Sequence, residues 1–238
     1  MSANSRKIDV LHCDDTGKQV RAEETVCEFF LQLFVNNLKT TTFRCSPDNL
    51  EALVTGFLAS EGMIRGKKDI KGLAIDEESG IAAVRTTRDS VKNRETTLEE
   101  MNPDMRLTRQ QVLSLYRRFQ ESSVLHRETN AAHSAALCRP EEIVVFAEDI
   151  GRHNAVDRVI GECIRDGLSP AGMMLLVSCR VSSEIVTKAA AVGIPVLISK
   201  SAPTDRGIER ARSFGMTLIG FVYRSGMNIY TGEKRMDI

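Results

Sequence analysis

From Glu141 onward the chain repeats one pattern, and that pattern limits the folds open to it. Four short runs, IVVFA (143–147), MMLLVS (173–178), IPVLIS (194–199) and MTLIGFV (216–222), are apolar at consecutive rather than alternate positions. Amphipathic segments at 155–166, 183–192 and 205–214 separate them. A strand covered on both faces loses the in–out alternation of a half-exposed one, so strands of this kind alternating with helices predict a parallel sheet between helical layers. Gly167, Gly193 and Gly215 follow the helical segments, where a left-handed residue commonly ends a helix.

The first half reads differently. CEFFLQLFVNNLKTTTFRC (27–45) is a hairpin around Asn36-Asn37, residues that tolerate the positive φ of a tight turn. Ser46 as N-cap and Pro47 in the first turn open a helix with Leu50, Leu53, Val54, Phe57 and Leu58 on one face, ended by Gly62. IKGLAI (70–75) and IAAVRTT (81–87) form a second hairpin around Glu77–Gly80. Residues 89–107 are polar and nearly aperiodic, as a linker would be. A helix from Thr108 carries Val112, Leu115, Tyr116 and Phe119 on one side, and TNAAHSAAL (129–137), rich in small residues, reads as helical too. The expectation is α/β: an N-terminal α+β domain over 1–95 and an α/β domain over 96–238.

Thirty-two basic and 32 acidic residues cancel, so no global charge draws the chain to nucleic acid or to an anionic membrane. No apolar run approaches the roughly 18 residues of a membrane span, and MSANSRKIDV has no signal-peptide core, so a cytosolic protein is expected. Six well-separated cysteines without a C-x-x-C fit reduced thiols, and with four histidines no zinc-ligand spacing or other metal site appears. P-loop and G-x-G-x-x-G signatures are absent.

Ligands of open parallel sheets bind beyond the carboxyl ends of the strands. The segments there are EDIGRHN (148–154), SCRVSS (178–183), SKSAPTD (199–205) and YRSGM (223–227), and each supplies a cation: Arg152, Arg180, Lys200 and Arg224, backed by Arg206. Three of these segments lead into helix N-termini, which favour anions. Ser182, Ser183, Ser201 and Thr204 add hydroxyls, while Gly151 and Gly226 permit close backbone approach. Four cations on one rim call for matching negative charge, and a ligand with several phosphates supplies it. Each residue also has a plainer role. An arginine after a strand is ordinarily solvated, and Ser182 and Ser183 are suited to cap a helix. His153 is either a general base or a partner that fixes the bend through Asp149. Glu148 and Asp149 suit a metal, the amino edge of a purine or a helix dipole.

These segments resemble the FdhD family, the formate dehydrogenase accessory sulfurtransferases. The likeness lies in GFLASEG (56–62), AAHSAAL (131–137), EDIGRHNAVD (148–157), RVSSEIVTKAA (180–190), SAPT (201–204) and LIGFVYRSGMNIY (218–230), in family order. The resemblance implies a C-terminal cytidine-deaminase-like three-layer α/β/α domain, a smaller N-terminal domain and a homodimer. It implies that sulfur is accepted as a persulfide from a cysteine desulfurase and passed to the molybdenum of bis-molybdopterin guanine dinucleotide, before that cofactor enters formate dehydrogenase. A guanine nucleotide would mimic the ligand. The family's cofactor-binding stretch matches Phe221, Val222, Tyr223, Arg224, Ser225 and Gly226, and AAHSAAL adds His133.

One departure matters. The family's persulfide-bearing C-x-x-C is expected near residues 88–105, and RDSVKNRETTLEEMNPD (88–104) has no cysteine. A carrier needs a nucleophilic sulfur, so another thiol must serve. The candidates are Cys179, whose neighbour Arg180 would lower its pKa, and Cys138, soon after His133; both read first as core thiols, because unpaired cysteines are among the most buried residues. The alternative function is a cofactor-binding chaperone or regulatory paralogue without sulfur transfer. A third is an unrelated nucleotide-modifying enzyme acting through Asp149 and His153. Deaminase chemistry is not implied, because the H-x-E and P-C-x-x-C zinc signature is missing.

Overall fold

The computed structural model describes residues 4–87, 105–223 and 225–238. The chain opens with an antiparallel ribbon, β1 (Ser5–Asp14) and β2 (Gly17–Val26), paired along its full length and largely exposed. The hairpin β3 (Phe29–Val35) and β4 (Leu38–Cys45) follows, turning at Asn36 and Asn37 with φ of 49° and 67°, as the sequence predicts. After α1 (Leu50–Ser60) come β5 (Ile70–Asp76) and β6 (Ile81–Thr86), the second expected hairpin. The sheet order is β4-β3-β6-β5, with β3 and β6 parallel.

The start of α1 differs from expectation. Asn49, not Ser46, is the N-cap residue, and it uses no side-chain cap. Residues 46 to 48 are held elsewhere: the Ser46 amide donates to Asp149 at 3.2 Å, and its carbonyl accepts from Arg158 at 2.6 Å.

The expected boundary after residue 95 lies outside the described residues, as does most of the proposed linker. Beyond it, β7 (Leu107–Thr108) leads into α2 (Arg109–Ser122), closed by a capping box between Thr108 and Gln111, and then α3 (Val124–Thr129). The second sheet is built from β8 (His133–Arg139), β9 (Glu142–Asp149), β10 (Met174–Val177), β11 (Val196–Ser199), β12 (Thr217–Tyr223) and β13 (Gly226–Thr231). Its helices are α4 (Arg152–Arg165), α5 (Ser183–Ala191) and α6 (Asp205–Ser213), and β14 (Met236–Asp237) pairs with β7.

This sheet, ordered β13-β12-β11-β10-β8-β9, is mixed rather than all parallel. The four runs read as strands do point the same way, but β8 runs antiparallel between β9 and β10, and β13 runs antiparallel at the far edge. β8 is the segment read as a helix. Its alanines favour a helix in isolation, yet Ser134, Ala135, Ala136, Leu137 and Cys138 are all buried, and a site closed on both faces of a sheet overrides that preference. Along β10, Leu175 and Val177 pack with α4 and α5, while Met174 and Leu176 face the α2 side. That double burial is why the strands lack alternation.

The two sheets share one apolar cluster, running from Leu31, Leu33 and Leu53 to Val156, Ile160 and Leu175. Its tightest point is the crossing of α1 and α4. A β-carbon on Gly56 would sit 1.7 Å from the Asp157 carbonyl oxygen, and one on Gly161 would sit 1.9 Å from that of Ala52. The first glycine of GFLASEG therefore serves helix packing.

Candidate functional site

The carboxyl ends of β9, β10, β11 and β12 meet on one edge, joined by the amino end of β8. His133 stands opposite Asp149, the Ser134 amide donates to Ser178 Oγ at 2.9 Å, and the Ser178 amide donates to the Ser134 carbonyl at 3.0 Å. The next loops are also laced together. Val181 bridges to Pro203, Ser199 Oγ donates to the Cys179 carbonyl at 2.7 Å, and the Phe221 amide donates to the Ser201 carbonyl at 3.3 Å.

The polar bend after β9 is occupied mainly in holding the fold. Glu148 accepts the amides of Leu125 and His126 at 2.8 and 3.0 Å, so it serves the N-terminus of α3 rather than α4. Asp149 is completely buried and accepts from Gly151 at 2.8 Å, Asn154 at 2.9 Å, Arg158 at 2.7 Å and Ser46 at 3.2 Å. Both oxygens face protein donors, which corrects its reading as a ligand contact. A β-carbon on Gly151 would lie 2.6 Å from Asn154 Nδ2, so this glycine closes the bend. His153 does not pair with Asp149: its Nε2 is 2.9 Å from Glu184 Oε2, and burial together with Arg152 holds its pKa below the usual value.

Beside this edge lies a cleft of about 1350 Å³, walled by α2 and α3, floored by residues 130 to 134, and reached by Ser178 and Lys200 from the strand ends. Arg109, Arg117, Arg127 and Lys200 make it cationic, and among the described residues that line it Glu121 is the one carboxylate. Arg109 also donates to the Ser225 carbonyl at 2.6 Å, tying α2 to the β12–β13 turn, and Arg127 donates to the Gln120 and Glu121 carbonyls at the end of α2. Tyr116 lines the same wall, its hydroxyl pushed up in pKa by burial and by nearby Tyr223.

Of the residues singled out from sequence, Lys200 and His133 line the cleft. Arg152 and Arg180 are exposed outside its lining, although the Arg152 charge acts on His133 and Cys179. Thr204 caps α6 through the Gly207 amide at 3.1 Å. Ser182 is the N-cap residue of α5 and Ser183 its first residue, with no side-chain cap bond. Val222 is buried, Phe221 is partly buried at φ 51°, and Tyr223, Ser225 and Gly226 sit at the turn; Arg224 lies outside the described residues.

Neither nominated thiol is poised for chemistry. Burial pushes Cys179 up to about 11, against the opposing charges of Arg152 and Arg180, and Cys138 up to about 12. Desolvation outweighs the Arg180 effect read from sequence. Among the described cysteines only Cys13 is exposed. Sequence reading missed Arg109, Arg117 and Arg127. Their signal was present, as basic residues on the polar faces of α2 and α3, but a solvated helix face looks the same.

Among the described residues no helix is long and apolar enough to cross a membrane. The FdhD/NarQ family model matches residues 26–103 and 89–237. The chain is 34% identical to the sulfur carrier protein FdhD of Bacillus pumilus, over 99% of each chain. It is 36% identical to that of Staphylococcus aureus, over 90% of this chain and 89% of the relative. A crystal structure from Desulfotalea psychrophila, provisionally described as a formate dehydrogenase accessory protein, superposes with a TM-score of 0.84 at 26% identity, covering 98% of this chain and all of the other. With the family model matching residues 26–103 and 89–237 and a relative 34% identical over 99% of each chain, the chain belongs to the FdhD/NarQ family.

Proposed function

We propose that the protein is a formate dehydrogenase accessory factor of the sulfur-carrier type, with bis-molybdopterin guanine dinucleotide as the cargo of its cleft. The observation that carries this reading is the cleft: its 1350 Å³ exceeds the roughly 300–1000 Å³ of ordinary small-molecule sites, and four cations border it. A ligand with several phosphates and large planar groups suits both features. The names of the relatives support a sulfur carrier, and the description of the solved structure supports formate dehydrogenase as recipient. A cysteine desulfurase as donor, a homodimer as the working form and the cytoplasm as its place complete the proposal and rest on the family resemblance alone.

A second reading, a cofactor chaperone without sulfur transfer, is favoured by the cysteines. Segment 88–104 has none, and Cys138 and Cys179 are buried. One experiment separates the two: the full chain is incubated with a cysteine desulfurase and isotope-labelled cysteine, then mapped by mass spectrometry, alongside calorimetric titration with GDP. GDP binding with persulfide on a specific cysteine supports the carrier. GDP binding without any persulfide leaves the chaperone, and no GDP binding at millimolar concentration removes both.

A further inference from the structure

Two histidines line the cleft without belonging to its set of permanent cations. His126, on α3, places Nδ1 at 2.8 Å from the Ala132 carbonyl oxygen. A carbonyl only accepts, so Nδ1 carries the proton, and in the neutral ring Nε2 remains an acceptor. His133 opens β8 half-buried, and neither of its ring nitrogens hydrogen-bonds a described residue.

The charges facing this pair are unbalanced. Arg152 acts on His133 from α4, and Arg127 and Lys200 border the same cleft. Of the described carboxylates near the pair, Asp149 is engaged by Arg158, Asn154 and two amides, and Glu148 by the amides of α3. Glu121 remains, exposed to solvent. Burial, Arg152 and His126 hold His133 below the ordinary histidine value, with Asp149 acting weakly against them. An anion among these groups reverses the balance, because opposite charge nearby favours the protonated imidazole.

We propose that His126 and His133 form a proton-linked receptor in the cleft, which binds ligands carrying more than one phosphate charge and takes up protons as they enter. Such a pair is specificity-determining: a neutral nucleoside leaves it uncharged, whereas a diphosphate gains two further cations. This rests on the cleft being a phosphate site and is independent of sulfur transfer. Linkage fixes the sign. Where binding raises an imidazole pKa, affinity rises as pH falls from the bound value to the free value, and is flat on either side. The second ionisation of a phosphate, near 6, opposes this, so the imidazoles themselves are the readout.

The test is an NMR titration of the imidazole C2–H resonances of the full chain, which has four histidines, free and saturated with GDP or with inorganic pyrophosphate. The His133 midpoint is expected to move up by about one pH unit or more on saturation, with the His126 resonance displaced as the ligand enters and that of His12 unchanged. His133→Asn is expected to weaken pyrophosphate about tenfold at pH 7 and to leave guanosine unaffected. GDP binding without any shift of either ring overturns the receptor while sparing the nucleotide reading. Pyrophosphate binding that shifts both rings, with GDP failing to bind, sustains the receptor and removes the guanine reading. Failure of both ligands at millimolar concentration overturns both.

Discussion

Arg158 and Asp149 form a buried ion pair, Nε to Oδ2 at 2.7 Å, with side chains 3% and 0% exposed. The same guanidinium reaches the carbonyls of Ser46 and Asp48, while Asp149 accepts the Ser46 amide. A single pair therefore clamps the loop before α1 to the bend between β9 and α4, where the strand-end edge begins. The concentration of polar groups in EDIGRHN is explained first by this clamp and only then by a ligand.

Removing one member of the clamp strands the other. Arg158→Met leaves a buried carboxylate without its cation, and a loss of about 3–5 kcal/mol is expected by urea unfolding. Asp149→Asn, which keeps the shape and part of the hydrogen bonding, is expected to cost less. Equal stability of Arg158→Met and wild type would show that water reaches the pair.

Much of the larger sheet was legible because double burial imposes consecutive apolar residues, and because Gly167, Gly193 and Gly215 do adopt φ of 77°, 77° and 63°. β8 was not legible, since Ala135 and Ala136 suit either conformation until neighbours on both faces decide. The ribbon of β1 and β2 was missed because exposure on both faces leaves no periodicity to read. The site divides in the same way. Lys200 and His133 follow from strand-end logic, but the structural duty of Asp149 depends on Ser46, 103 positions away, and no local pattern reports it.

Helix crossing makes a second demand. Gly56→Ala or Gly161→Ala puts a methyl group into the opposing backbone, and α1 and α4 must separate. A loss of about 1–3 kcal/mol or more is expected for each, read from thermal or urea unfolding. Wild-type stability for either variant would contradict the close crossing.

Lys188 contacts both oxygens of buried Asp157 at 3.0 and 3.1 Å, with Ser60 at 2.6 Å from the same carboxylate. Burial pushes the Asp157 carboxyl up, and Lys188 pulls it down. Lys188→Met leaves the upward push. A carboxyl with a folded pKa above its unfolded one holds a proton that unfolding releases, so stability rises as pH falls through that window. The deficit of Lys188→Met is expected at about 3–5 kcal/mol at pH 8 and to narrow by pH 5. Urea unfolding at both pH values decides it, and a constant deficit would count against the assignment.

Thiol labelling with Ellman's reagent at pH 8 is expected to modify Cys13 rapidly, with Cys45, Cys138, Cys163 and Cys179 protected until the chain unfolds. A thiol at about 12, as for Cys138, is roughly one part in ten thousand thiolate at that pH. Rapid native labelling of Cys138 or Cys179 would restore them as sulfur carriers.

The cleft and the strand-end rim make different claims about which cations meet the ligand. Arg117 and Lys200 line the cleft, whereas Arg180 is exposed outside its lining. A lost charge-assisted hydrogen bond costs about 1.5–3 kcal/mol, so Arg117→Ala and Lys200→Ala are each expected to weaken GDP about tenfold or more. Arg180→Ala is expected to change affinity less than about twofold, since a long-range charge is largely screened at physiological salt. All three side chains are exposed, so folding is not at issue. Calorimetric titration of the three variants reads the order directly. If Arg180→Ala proves the weakest binder and Arg117→Ala matches wild type, the ligand sits over the β10–α5 loop rather than against α2.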